Sequence, residues 1–92
     1  MAHRLKAVVH GNVQGVGFRY WAHHTGQRLG LHGWVRNEPN GTVAVEAEAS
    51  DKDALQALFV ELHKGPAAAQ VTQVEAHWEE LEAPHHLGFR VA

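Results

Sequence analysis

The sequence predicts an α+β sandwich in which two helices cover one face of an antiparallel sheet. The prediction depends on two kinds of hydrophobic periodicity. Apolar and polar residues alternate in several short stretches, which is typical of half-buried strands, and apolar residues recur at helical spacing in two longer stretches. The resulting order is strand, helix, strand, strand, helix, strand, with a further short strand near the end of the chain.

The first strand and the first helix are joined by a glycine-rich loop. Alternation of apolar residues with Lys6 and His10 predicts a largely buried strand over 5–11. The helix that follows has four residues at helical spacing on one face: Phe18, Ala22, Thr25 and Leu29. Gly30 is well placed to end this helix.

A hairpin is predicted next, with strands over 33–37 and 42–49 joined by a turn at 38–41 that contains Asn-Gly. In the second strand one face should carry the apolar residues and the other Thr42, Glu46 and Glu48.

The second half of the chain predicts a helix and two strands. Ser50 is a good N-cap for a helix over 51–64, and Gly65-Pro66 would stop it. A strand over 71–79, a polar connection and a short strand over 89–91 complete the chain. Right-handed crossovers place both helices on one face of the sheet, which gives the ferredoxin-like βαββαβ sandwich.

Composition excludes several classes of protein. The chain has 92 residues, which predicts a single domain over 1–92 with one modest core. A net charge of −2 disfavours a general nucleic-acid binder, and the absence of cysteine excludes disulfides and thiolate catalysis. No stretch resembles a membrane span or a signal peptide. We therefore expect a cytoplasmic protein without nucleic-acid or membrane partners.

The run Gly-Asn-Val-Gln-Gly-Val-Gly-Phe-Arg at 11–19 is the main candidate for a functional site. Its glycines leave backbone amides uncovered, and amides at the start of a helix bind anions. Arg19 adds a planar guanidinium that can hold two phosphate oxygens. The spacing matches neither the P-loop nor the dinucleotide-binding pattern. By itself, the run leaves open either a phosphate site or a glycine-rich turn beside a surface arginine.

Three segments together resemble the acylphosphatase family. These are Val-Gln-Gly-Val-Gly-Phe-Arg at 13–19, Gly-Trp-Val-Arg-Asn at 33–37 and Asn-Gly at 40–41. The resemblance covers 5–91 and includes the order of the elements. It implies a hydrolase that cleaves the carboxyl-phosphate bond of small acyl phosphates, with no cofactor and no metal.

The resemblance also implies residue roles. Arg19 matches the family's phosphate-binding arginine, and Asn37 matches the asparagine that orients the attacking water. The family's phosphate cradle matches the backbone amides of Gln14, Gly15, Val16, Gly17 and Phe18. The chain departs from many members at Asn12, where they carry a basic residue, and this change would weaken the local positive field.

Several of these residues have simpler structural explanations. Asn37 taken alone is better explained as the residue that opens the turn at 38–41. Arg36 is expected to be solvated, and Trp21 and Trp34 are expected to be packing residues. The histidines have no metal-ligand spacing and are expected to be solvated surface residues: His3, His10, His23, His24, His32, His63, His77, His85 and His86.

Two other functional classes compete with hydrolysis as explanations of this sequence. A ferredoxin-like domain can bind a phosphorylated metabolite or a protein without catalysis, and similar domains occur inside larger carbamoyl-transfer proteins. The end of the chain at residue 92 favours the stand-alone enzyme. An RNA-binding module would need a basic face and a K/R-G-F/Y pattern, which the strand aromatics lack. The expected partners are a small acyl phosphate and inorganic phosphate, its product and inhibitor, bound by a monomer.

Overall fold

The computed structural model describes residues 1–92, and its elements follow the predicted order. They are β1 (Ala2–Asn12), α1 (Phe18–Arg28), β2 (His32–Asn37), β3 (Val43–Ala49), α2 (Lys52–Lys64), β4 (Gln70–Leu81) and β5 (Phe89–Val91). β1 and β4 are longer than predicted because they pair with each other along their whole length, from Ala2 opposite Leu81 to Asn12 opposite Gln70. Tertiary pairing therefore extends these strands past the alternating segments. Neither helix is long and apolar enough to cross a bilayer.

The five strands form one sheet in the order β4-β1-β3-β2-β5. β1 lies between β3 and β4 and is antiparallel to both, and the β2–β3 hairpin is antiparallel as predicted. β5 is the exception, because it pairs in parallel with β2 at the far edge. The 82–88 segment must therefore cross from one edge of the sheet to the other before β5 begins.

Both helices pack on the same face of the sheet, as the right-handed crossovers predict, and they contact each other. Alternate residues of β1 and β3 point toward them, so that the predicted apolar face is buried. A single cluster of 15 buried residues results, and burial of each large side chain contributes about 1.5–3 kcal/mol. Its fully buried large side chains include Leu5, Val9, Phe18, Val45, Leu55, Leu58 and Leu62.

The ends of the helices follow the sequence signals with one correction. After α1, the N–H of Gly30 donates to the Gln27 carbonyl and the N–H of Leu31 to the Gly26 carbonyl, a Schellman arrangement. The prediction of Ser50 as the N-cap of α2 is wrong. Asp51 is the N-cap, because its extended backbone lets its carboxylate accept the N–H of Asp53 at 2.9 Å.

The polar connection after β4 packs against the sheet and covers Glu48, which was predicted on the face of β3 opposite the apolar residues. Glu48 is only 1% exposed. Its Oε1 accepts the backbone N–H groups of His85 and His86 at 2.7 and 3.0 Å, and the Arg4 guanidinium lies 3.5 Å from Oε2. Burial of this carboxylate is tolerated because it is both paired and hydrogen-bonded.

Candidate active site

The glycine-rich loop between β1 and α1 has a backbone that only glycine adopts without strain. Gly15 and Gly17 have φ angles of +73° and +79°, and another residue would lose about 1–2 kcal/mol at each such position. A Cβ atom at either position would meet nothing within 4 Å. The backbone is therefore uncovered at both glycines, which leaves it accessible to a ligand.

The start of α1 adds unpaired backbone donors beside these glycines. Gly17 is the N-cap, and no side chain caps the helix. The first backbone bond of the helix runs from the N–H of Trp21 to the carbonyl of Gly17 at 3.0 Å, so the preceding N–H groups of 18–20 have no acceptor within the helix. Free amides and the positive end of the helix dipole favour an anion at this point.

Arg19 is partly buried at the side of this loop, and the end of the sheet helps to hold it. Its Nη1 donates to the carbonyl oxygen of Ala92 at 3.2 Å. Ala92 is itself fixed, because its N–H donates to the carbonyl of Val35 in β2 at 2.8 Å. A guanidinium has five N–H donors, so this contact leaves most of the fork free for a ligand.

A small cleft brings the loop, Arg19 and Asn37 together. Asn37 is the last residue of β2, and it lines this cleft together with residues from the start of α1. The cleft has a volume of about 110 Å³ and is lined by Val13, Gly15, Gly17, Phe18, Arg19, Tyr20 and Asn37. Three of the five residues predicted to form the cradle are among them, whereas Gln14 and Val16 are not.

Gln14 acts through its side chain in a way that the sequence did not indicate. Its Nε2 donates to the carbonyl oxygens of Glu38 at 2.7 Å and of Thr42 at 2.9 Å. These two carbonyls flank the turn of the β2–β3 hairpin, which carries Asn37. These two hydrogen bonds therefore hold the glycine loop against the hairpin that contains Asn37. The other predicted cradle residue outside the cleft, Val16, packs against the core.

The hairpin turn does not use the Asn37 side chain. Asn40 shapes the turn, because its Oδ1 accepts the backbone N–H of Thr42 at 3.2 Å and the Thr42 hydroxyl at 2.7 Å. No side-chain hydrogen bond is made by Asn37, which is exposed at the cleft. The explanation of Asn37 as a turn-forming residue therefore has no support in the contacts.

The neighbouring aromatic and basic residues divide between the two faces of the sheet. Trp21 packs edge-on against Phe18 with ring centroids 5.2 Å apart, as predicted for a packing residue. Trp34 instead lies half-buried on the face away from the helices, where the Arg36 guanidinium sits 4.5 Å from its ring centroid. Arg36 is exposed as expected and pairs with Glu38 at 2.8 Å.

A group of charged residues on the open face was not indicated by the sequence. His86 is only 17% exposed and lies 2.5 Å from Glu46, so the expectation that all the histidines are solvated is wrong for this one. Ligand atoms of Glu46, Glu48 and His86 lie within 4.8 Å of one another. However, the Arg4 guanidinium already provides a cation beside the two carboxylates, 3.5 Å from Glu48 and 4.0 Å from Glu46. The group therefore forms an ion-pair network that holds the 82–88 segment on the sheet.

The same arginine also pairs with β4. Arg4 Nη2 donates to Glu79 at 3.1 Å, and this hydrogen bond lowers the pKa of the Glu79 carboxyl below its ordinary value, with Lys6 acting in the same direction. None of these charged residues lines the cleft, so the network and the candidate site lie on separate parts of the molecule.

Known proteins share the sequence and the fold of this chain. The family model for acylphosphatase matches residues 5–91. The chain is similar to the acylphosphatase of Thermococcus kodakarensis, with 47% identity over 90% of this chain and 88% of that protein. It is 44% identical to the acylphosphatase of Salinibacter ruber over 96% of this chain and 90% of that one.

The solved structures agree with this result. The crystal structure of acylphosphatase from Bacillus subtilis superposes with a TM-score of 0.89 at 31% identity and covers 98% of both chains. The chain belongs to the acylphosphatase family. It is therefore an enzyme of that class, which hydrolyses acyl phosphates.

Proposed function

We propose that this enzyme hydrolyses the carboxyl-phosphate bond of small acyl phosphates without a metal ion, with Arg19 and the loop amides binding the phosphoryl group and Asn37 orienting the attacking water. The observation that carries this proposal is the shared cleft. The cleft combines a helix start that no side chain caps with two glycines whose backbone is uncovered. It also contains one arginine, and one asparagine whose side chain makes no hydrogen bond within the protein.

Phosphoryl binding is the task of the loop and Arg19. The negative charge of the phosphoryl oxygens is met by the N–H groups at the start of α1 and by the guanidinium fork, which can donate two parallel hydrogen bonds. In the loose transition state of phosphoryl transfer, charge is spread over the three equatorial oxygens. Donors that are already fixed around this position stabilise that charge without reorganisation.

Asn37 is suited to orient water. Its side chain offers a carbonyl acceptor and an amide donor and does not titrate. Its position at the end of β2, in the lining of the same cleft as Arg19, would allow it to hold a water molecule in line with the phosphorus and the leaving oxygen.

A strong general acid or base is not needed for this reaction. Water attacks the phosphorus, the P–O bond to the acyl group breaks, and the leaving carboxylate departs as an anion, because carboxyl groups have pKa values of about 4. The attacking water supplies the fourth oxygen of inorganic phosphate, which forms as H2PO4⁻ and then exchanges its protons with solvent. The residues that line the cleft include no carboxylate, imidazole or thiol that would ligate a metal.

The finer expectations from the sequence remain part of the proposal. Inorganic phosphate should compete with substrate, because it would occupy the same donors as the phosphoryl group. The net charge of −2 supports the expectation of no nucleic-acid partner. We also propose a cytoplasmic monomer, a single domain without membrane partners.

Hydrolysis of acetyl phosphate tests the proposal directly. Turnover should be retained after prolonged dialysis against a chelator and should be inhibited competitively by inorganic phosphate. Loss of turnover on chelation, with recovery on addition of a divalent ion, would refute the metal-free mechanism. Binding of phosphate without any turnover would favour the alternative of a non-catalytic binding domain.

A further inference from the structure

Trp34 is the one tryptophan that the core does not use. Trp21 and Trp78 both pack against the buried cluster, whereas Trp34 is neither a member of the cluster nor packed against it. Its half-buried ring contacts no other aromatic ring, and its neighbour is a cation, the Arg36 guanidinium, 4.5 Å from the ring centroid. Packing of the core therefore does not account for this large aromatic side chain.

A second arginine lies beside Trp34 on the neighbouring strand. In the parallel pairing of β2 with β5, Trp34 is opposite Arg90, so the two side chains leave the same face of the sheet. Arg90 is exposed and takes part in no salt bridge, whereas Arg36 is paired with Glu38 at 2.8 Å. The fold therefore leaves one cation next to the indole without a compensating carboxylate.

A cavity of about 290 Å³ is formed where these side chains meet. It is lined by Trp34, Arg36, Arg90, Val91 and Ala92, so it has two guanidinium groups and no carboxylate side chain in its lining. Its size is close to the lower end of pockets that hold small molecules, roughly 300 Å³. The larger cavity that Trp34 and Arg36 also line, of about 470 Å³, contains three glutamates instead: Glu38, Glu46 and Glu75. The smaller cavity is therefore the one whose charge favours an anion.

We propose that this smaller cavity binds planar aromatic carboxylates, with the ring packed against Trp34 and the carboxylate held by Arg90 and Arg36. An aromatic ring packs on an indole in an offset or edge-to-face arrangement, and a guanidinium can donate two parallel hydrogen bonds to a carboxylate. The cavity shares no lining residue with the cleft that contains Arg19 and Asn37, so such a ligand binds without displacing phosphate. The inference does not depend on the proposed function.

The experiment is an NMR titration with naphthoate and naphthamide, which have the same ring but differ in charge. Naphthoate should shift the indole N–H signal of Trp34 in a saturable way and should bind more tightly than naphthamide. Arg90→Gln should lower the affinity for naphthoate about fivefold, the effect of an exposed charged contact, and leave that for naphthamide unchanged. Arg28→Gln is the matched control, because Arg28 is also an exposed arginine but lies on α1 and lines neither cavity.

The ring is tested with Trp34→Ala, which should weaken both ligands about tenfold, the size of a lost aromatic contact. Trp34→Phe keeps a ring and should lose less, and it replaces the alanine variant if circular dichroism shows that variant to be unfolded. Four results would overturn the inference. They are the absence of saturable binding, equal affinity of the wild type for the two ligands, an equal loss in Arg28→Gln and Arg90→Gln, and displacement of naphthoate by excess inorganic phosphate, which would place it in the cleft.

Discussion

The side-chain amide of Gln14 lies 2.7 Å from the carbonyl oxygen of Glu38, and this hydrogen bond joins the two halves of the candidate site. Gln14 belongs to the loop that precedes α1, while Glu38 directly follows Asn37 at the end of β2. The contact fixes the distance between the helix start, where the phosphoryl group would bind, and the asparagine that would orient water.

We therefore expect Gln14→Ala to lower kcat about tenfold to a hundredfold, because small displacements of reacting groups are costly. KM should change much less, since Arg19 and the loop amides remain. Thermal unfolding measured on the same variant separates this effect from a general loss of structure. A variant with normal kcat would show that the loop keeps its position without this contact.

Arg19→Ala should lower kcat/KM by about 10²–10³, because a fixed charge-assisted donor to the transition state is lost. Arg19→Lys should recover little of it, since an ammonium group cannot reproduce the planar fork. The folded state should be retained, because the side chain is only partly buried and its one hydrogen bond is to the Ala92 carbonyl. The check is steady-state kinetics with circular dichroism. Near-normal turnover in Arg19→Ala would remove Arg19 from the mechanism.

Asn37→Ala distinguishes a role in catalysis from a role in the turn. If Asn37 orients water, kcat should fall about a hundredfold while inhibition by inorganic phosphate persists. The melting temperature should be nearly unchanged, because Asn40 and not Asn37 holds the turn. Asn40→Ala is the matched control and should show the reverse, a lower melting temperature with kcat retained. Loss of phosphate inhibition in Asn37→Ala would instead place this residue among the phosphate ligands.

Glu48→Ala should destabilise the fold by about 3 kcal/mol, because it leaves a largely buried arginine and two backbone amides without their carboxylate. Chemical denaturation measures the change in the free energy of unfolding. Glu82→Ala, an exposed glutamate in the same crossing segment, should have little effect. Turnover well below the melting temperature should be retained in both variants, since neither residue lines the cleft. Equal stability of the two variants would show that the network does not hold the 82–88 segment.

The Arg4–Glu79 pair should make stability depend on pH in the acid range. Arg4 lowers the pKa of Glu79 in the folded state, so the pair stabilises the fold fully above the ordinary glutamate pKa of about 4.3. This stabilisation is lost as the pH falls through the lower pKa of the folded state. The melting temperature of the wild type should therefore exceed that of Glu79→Gln at neutral pH, and the gap should close in acid. Glu80→Gln, on the same strand without an ion pair, should show no such gap.

Much of the fold could be predicted from periodicity. Three kinds of feature depend only on residues close together in the chain, and they can therefore be read from the sequence. They are the apolar faces of the helices and of β3, the glycines that follow the two helices, and the Asn-Gly turn. The glycine loop at the start of α1 could be recognised in the sequence for the same reason. Resemblance to a family then brought Arg19 and Asn37 into one site, which spacing alone did not.

Other features depended on contacts between distant parts of the chain. The parallel pairing of β5 with β2, the burial of Glu48 under 82–88 and the bonds of Gln14 to the hairpin each join segments that are more than twenty residues apart. A glutamate on the polar face of a strand has the same local pattern whether a later segment covers it or not. Local chemistry along the chain sets which faces are apolar and where the chain turns, so these features can be predicted from the sequence. The burial of particular polar side chains and the meeting of residues at the cleft depend on assembly of the sheet, because they join segments that are distant along the chain.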